Sequence, residues 1–138
     1  MTRWTCPACE REFARKNQAH TCAPGTTVDG TFASYPEGHR QIYDAIIGHL
    51  RALGEVHEDA VTVGVFLKRD DKFAEVRPMA RSVSLNLVLP RTIHDPRVSK
   101  AVRIAEGRVV HLIKLTTRSD VDDQLCDWLE ESFEASGG

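Results

Sequence analysis

Ser82-Val83-Ser84-Leu85-Asn86-Leu87-Val88-Leu89, closed by Pro90, alternates polar and apolar residues over a full strand length. Successive side chains of a strand point to opposite faces, so Val83, Leu85, Leu87 and Leu89 line one buried face. Such a strand needs partners for its backbone, and the chain supplies patterns on both sides. Upstream, Val61, Val63, Val65 and Leu67 read as one strand whose odd-numbered residues face inward, Arg69-Asp70-Asp71 as a turn, and Lys72 to Pro78 as a returning strand. Downstream, Pro90 to Pro96 reads as a loop, and Val98 to Ile104 and Arg108 to Leu115 as a hairpin around Glu106-Gly107. The expectation is a five-stranded sheet, and the short turns make it mostly antiparallel.

A helical period flanks the strands on each side. Ile42, Tyr43, Ile46, Ile47, Leu50 and Leu53 fall on one helix stripe, with Ser34 and Glu37 placed as a capping pair, Pro36 in the first turn and Gly54 at the end. Val121, Leu125, Trp128, Leu129, Ser132 and Phe133 form a second stripe, with Ser119 as cap and Asp122 three residues on. Acids fill its other positions and read as a solvated face. A helix, five strands and a helix give an α+β fold. The simplest packing puts both helices on one face of the sheet, a frataxin-like architecture by fold-level analogy.

The chain has 138 residues, 41% of them apolar and 28% charged, which fits a globular domain and not a disordered segment. No run of about 18 apolar residues occurs, so no membrane-spanning helix is expected. No apolar stretch precedes the first cysteines, so a secretory leader is not expected and the cytoplasm is. The net charge of −2 hides a segregation, with +7 over residues 60–118 and −7 over residues 119–138. Either opposite charges pair within the fold, or the basic stretch offers a face to an anionic partner.

Residues 1–25 form a separate unit, a knuckle and its linker, ahead of the α+β domain at 26–138. The spacing Cys6-x2-Cys9-x10-His20-x-Cys22 supplies four ligands of the kind zinc prefers. Cys6 and Cys9 converge from one tight turn, and the intervening residues bring His20 and Cys22 back to them. Four protein ligands leave no open position, so the expected ion is a single structural Zn2+. A disulfide framework is the alternative, disfavoured by the adjacent His and the absent leader. Trp4 and Phe13 can cover only a very small core, so the metal must supply the folding energy. Cys126 sits in a helical pattern as a small core residue.

Cys6-Pro7-Ala8-Cys9, the run Phe13-Ala14-Arg15-Lys16-Asn17-Gln18-Ala19-His20-Thr21-Cys22, Lys72-Phe73-Ala74-Glu75-Val76, Asp95-Pro96-Arg97, Val110-His111, and Asp120-Val121-Asp122-Asp123 leading to Trp128-Leu129 together resemble an uncharacterised bacterial family. Its members carry an N-terminal Cys-Cys-His-Cys knuckle followed by a domain of unknown function. The resemblance spans nearly the whole chain. It implies zinc binding and one α+β domain, and no activity.

No phosphate-binding glycine loop and no nucleophile elbow is present. Arg91, His94, Asp95 and Arg97 share one loop, and His111 lies on the last strand. This group suits anion binding or acid–base work, or else a turn at Asp95 with His111 packed inside the sheet. On the open sheet face, Phe66 and Phe73 are expected to point outward beside Lys68, Arg77 and Asn86. Aromatic rings among cations are what stacked bases use. Alternatively the two rings pair with each other, or the knuckle packs over them.

These readings lead to a non-catalytic zinc module that binds nucleic acid through Arg11, Arg15 and Lys16 of the knuckle and through the basic sheet face. A protein-interaction adaptor is the alternative, and a small enzyme using His94 and His111 the third. No organic cofactor and no membrane is expected.

Overall fold

The computed structural model describes residues 3–136; residues 1–2 and 137–138, the outer ends of the two expected units, lie outside that range. The knuckle holds a small hairpin, β1 (Trp4–Thr5) and β2 (Glu12–Phe13). Then follow α1 (Val28–Phe32), α2 (Glu37–Leu53), strands β3 (His57–Val61), β4 (Gly64–Lys68), β5 (Lys72–Pro78), β6 (Val83–Leu89), β7 (Val98–Ala105) and β8 (Arg108–Leu115), and α3 (Asp123–Ser136). The main sheet is antiparallel throughout, in the order β3-β4-β5-β6-β8-β7. No described helix is long and apolar enough to cross a membrane.

The sheet has six strands where the alternation predicts five. The stretch read as one strand, Val61 to Leu67, is the corner between two. The chain reverses at Thr62-Val63, Val61 pairs with Gly64, and Val63 stands 55% exposed at the tip. Gly64 is required there, because a Cβ would lie 2.9 Å from the Val76 carbonyl oxygen. The turn also changes the facing. Val65 and Leu67 point into the core, whereas Val61 shares the outer face with Asp59 and Phe66. The extra strand, β3, has no apolar alternation to announce it. Its polar groups are satisfied by distant residues instead: Glu58 accepts from the Tyr43 hydroxyl and from Arg51, and Asp59 from Arg11 and Lys68.

Inward rows run straight across the ladder. Val65, Val76, Leu85 and Ile113 form one, and Leu67, Ala74, Leu87 and His111 the next. Apart from the buried His111, these rows belong with α2 and α3 to a single hydrophobic cluster. Phe73, expected on the open face, lies in that cluster as well. Leu67 pairs with Ala74 but Lys68 pairs with Lys72, so Phe73 is the extra residue of a bulge. The bulge turns its ring inward, edge-on to Phe133 of α3 at 5.9 Å, and leaves it 1% exposed. Its predicted outward orientation is therefore wrong.

The helix ends also depart from expectation. Ser34 does not cap α2; Pro36 occupies that position without a side-chain bond. At α3 the cap is Asp122, whose Oδ1 accepts from the Leu125 N–H at 2.9 Å. Ser119 instead lies in a single 3-10 turn, Arg118–Asp120, closed by a Thr117–Asp120 capping box. Helix α1, too short to carry a period, is held by Thr27, whose Oγ1 accepts from Gly30 N–H at 2.9 Å.

The α3 stripe is buried as its spacing predicts, with Leu125, Trp128, Leu129, Ser132 and Phe133 all inside. Trp128→Ala is accordingly expected to cost about 3–5 kcal/mol in urea unfolding, the usual range for a large buried aromatic. The Arg97 guanidinium, 4.9 Å from that ring, loses its aromatic partner in the variant. A loss under about 1 kcal/mol contradicts the packing of α3 described here.

Candidate metal centre

Two backbone bonds shape the first ligand turn. Glu10 N–H donates to the Cys6 carbonyl at 2.7 Å, and Cys6 N–H to the Arg11 carbonyl at 2.9 Å. Glu10 takes a left-handed φ of 61° to close it. The turn presents Cys6 and Cys9 on one side, and His20 and Cys22 approach from the other. The four ligand atoms all lie within 4.8 Å of one another. Cys6 Sγ and Cys22 Sγ are 3.8 Å apart, and His20 Nε2 stands 3.5 Å from Cys9 Sγ and 3.4 Å from Cys22 Sγ.

These separations can be compared with a tetrahedron. Zinc–sulfur bonds of about 2.3 Å and zinc–nitrogen bonds of about 2.0 Å give S···S edges near ~3.8 Å and S···N edges near ~3.5 Å. These three separations match tetrahedral edges, and the four residues form a group that could hold one metal ion. His20 is held in the right tautomer, because Nδ1–H donates to the Gln18 carbonyl at 2.6 Å and leaves Nε2 for the metal. Its ring stacks on Phe13, with centroids 3.9 Å apart. Backbone N–H groups of Cys9 and Ala8 favour the Cys6 thiolate and hold its pKa to about 6.

Beneath the centre lies a buried charge cluster. The Arg11 guanidinium grips Asp59 of β3 with one edge, Nε–H donating to Oδ1 at 3.0 Å and Nη2–H to Oδ2 at 2.9 Å. The Lys68 ammonium of β4 reaches the same Oδ2 at 2.7 Å and sits 4.2 Å from the Phe13 ring centroid. Arg11, Asp59 and Lys68 are 7%, 5% and 7% exposed. Burial disfavours the Asp59 carboxylate, but hydrogen bonds from Arg11 and Lys68 outweigh it and hold its pKa below the ordinary range. Burial likewise opposes the Arg11 charge, and Asp59 with the thiolates of Cys9 and Cys22 overcomes it, raising its pKa. Two cations and one carboxylate leave one positive charge. Were a divalent ion bound, three thiolates and a neutral imidazole would leave one negative charge just above. The two units are thus docked, and the linker adds to this: Thr26 N–H donates to the Ala60 carbonyl at 2.9 Å, and Gly25 bridges Val61.

A family model described as a domain of unknown function, DUF5655, matches residues 28–136. The chain belongs to the DUF5655 family. Comparisons with curated proteins and with solved structures returned no match.

The residues expected to bind a partner are scattered by the structure. Arg11 and Lys68, expected as free cations, are buried in the cluster that docks the knuckle on the DUF5655 domain. Phe66 is half-buried, with the Arg11 guanidinium 5.3 Å and the Lys72 ammonium 4.8 Å from its ring centroid. The knuckle therefore covers the β3–β4 end of the outer face. Phe73, in the DUF5655 core, is unavailable.

Several of the other cations are paired: Arg15 with Asp71, Arg77 with Glu75, Arg91 with Glu131, and Arg97 with Asp95 and Asp122. Lys16 is exposed. The charge segregation is thus partly cancelled within the fold. His94 is exposed, while His111 is fully buried. His111 Nε2 accepts from Ile93 N–H at 2.9 Å, and its Nδ1–H donates to the Val109 carbonyl at 3.0 Å. Both ring nitrogens are used, so the two histidines share no acid–base site. Cys126 is half-buried, and burial plus the acids around it push its thiol pKa up.

Two residues were not foreseen. Asp59 is central to the docking, and its only sequence trace is the second acid of the pair Glu58-Asp59, two places before Val61. Lys72, read as the start of a strand, lines a groove of about 390 Å3 with Phe66, Val61, Val63 and the knuckle residues Ala19 and His20.

Proposed function

We propose that the chain is a zinc-stabilised recognition module that binds single-stranded nucleic acid in the groove between knuckle and sheet, acts in the reducing cytoplasm and catalyses no reaction. The observation that carries this reading is the Phe66 ring in the groove wall with the Lys72 ammonium over it. An ammonium on a flexible stem can swing to a phosphate and leave the aromatic face for a base. Lys16 extends the positive potential along the knuckle. On this reading both long helices lie on the face away from the knuckle, which their shared cluster with the inward rows supports. The acids of α3 then stay clear of phosphates.

Fluorescence anisotropy with a labelled oligothymidylate tests the proposal. Affinity should fall steeply between about 50 and 200 mM salt, and Lys72→Gln should flatten the log–log slope by about 0.7. Phe66→Leu should weaken binding by roughly fivefold or more, the low end of base–aromatic stacking. No binding at the lower salt, or variants that bind as the parent does, overturns the reading in favour of a protein adaptor.

A further inference from the structure

The two edges of the main sheet differ. At β3 the linker closes the edge through the Thr26 and Gly25 contacts. At β7 the edge is open: seven of its eight residues are exposed, and among the described residues β8 alone pairs with it. Proteins usually blunt such an edge, and the charged residues here do so against a second copy of the chain. Two β7 strands side by side would bring Lys100 and Arg103 of each copy together, and like charges across a strand pair destabilise it.

The same charges select a different occupant. Lys100, Arg103 and Lys114 form no ion pair among the described residues, whereas Arg77, Arg91 and Arg97 of the same sheet or its loops are paired. Between its bulges β7 is regular from Lys100 to Arg103. Lys100 pairs with Leu112 and Val102 with Val110, which puts Lys100 and Val102 on the outer face; Ala101 and Arg103, opposite His111 and Val109, lie on the other. Val102 is 41% and Ile104 55% exposed, large apolar side chains left uncovered on an edge strand.

We propose that β7 is a docking edge for an extended acidic segment of another protein, which adds a seventh strand to the sheet. The backbone supplies the ladder, and the side chains set the pattern. An acid opposite Lys100, an apolar residue opposite Val102 and an acid opposite Arg103 require two acids three positions apart, with an apolar residue next to one of them. The edge lies across the sheet from the knuckle groove, so this inference stands apart from the nucleic-acid reading and fails separately from it.

The probe is the capped peptide Thr-Thr-Glu-Val-Thr-Glu-Thr-Thr, titrated into isotope-labelled full-length protein and followed by amide NMR. Shifts and slowed hydrogen exchange are expected along β7. The same peptide with Lys in place of Glu, or with alternate backbone nitrogens methylated, should bind at least about tenfold more weakly. The exposed double variant K100E/R103E should reverse the charge preference and take the Lys peptide. Shifts spread outside β7, equal binding of the Glu and Lys peptides, undiminished binding of the methylated peptide, or a β7-mediated dimer in sedimentation overturns the proposal.

Discussion

Stripping the metal from the reduced protein is expected to unfold residues 3–25 and to lower the melting temperature of the remainder. The reduced protein should carry one zinc ion per chain by elemental analysis, and Cys22→Ser should abolish that stoichiometry. The knuckle core consists of Cys6, Cys9, Phe13 and the partly buried Trp4, far too little apolar surface to fold a segment of this length. Structural zinc supplies about 10–16 kcal/mol in comparable small units, so little of the knuckle should persist without it. The DUF5655 domain has its own cluster around Leu85, Leu87 and Ile113 and should stay folded. It should melt earlier, because Phe66, Asp59 and Lys68 lose their cover. Circular dichroism for the sheet and amide NMR signals of residues 3–25 for the knuckle follow the two parts separately. A knuckle that keeps its dispersed amide signals after chelation contradicts this account, as does a chain that loses its sheet together with the metal. Acid should release the ion, since protons compete for the thiolates.

Asp59→Ala is the second large effect expected. It leaves the Arg11 guanidinium and the Lys68 ammonium buried without their anion, a loss of about 3–5 kcal/mol for breaking a buried ion pair. The knuckle should undock or the two cations should drag water inward. Replacing Arg11 and Lys68 by Met in the same chain should recover most of the loss, because the uncompensated charge and not the missing carboxylate is the problem. The triple variant failing to recover stability assigns the effect to packing instead. The sign of the pH dependence follows from the lowered Asp59 pKa. A carboxyl more acidic folded than unfolded contributes stability above the unfolded value, near 3.9 for a free Asp, and that contribution disappears as pH falls through its lowered folded value. The parent should therefore lose this share of its stability only in strong acid, and Asp59→Ala should show no such step in urea midpoints measured against pH.

Much of this protein was determined locally. The ligand set Cys6, Cys9, His20 and Cys22 follows from spacing, because a tight turn and a short return are properties of neighbouring residues. The inward row of β6 and the stripe of α3 follow from period, because alternate or helical spacing fixes which side chains share a face. Other features depended on partners far along the chain. β3 is a strand because Arg11, 48 positions away, and Lys68 neutralise Asp59, and no reading of His57-Glu58-Asp59-Ala60 by itself contains them. Val61 and Val65 look alike in the alternation, yet a reversal at Thr62-Val63 sends them to opposite faces. Phe73 left the outer face through one extra residue in a ladder whose register only the assembled sheet sets. The expected binding surface changed for the same reason. Whether a cation is free or paired depends on which carboxylate the fold brings beside it, and burial strengthens that pairing beyond anything the sequence spacing records.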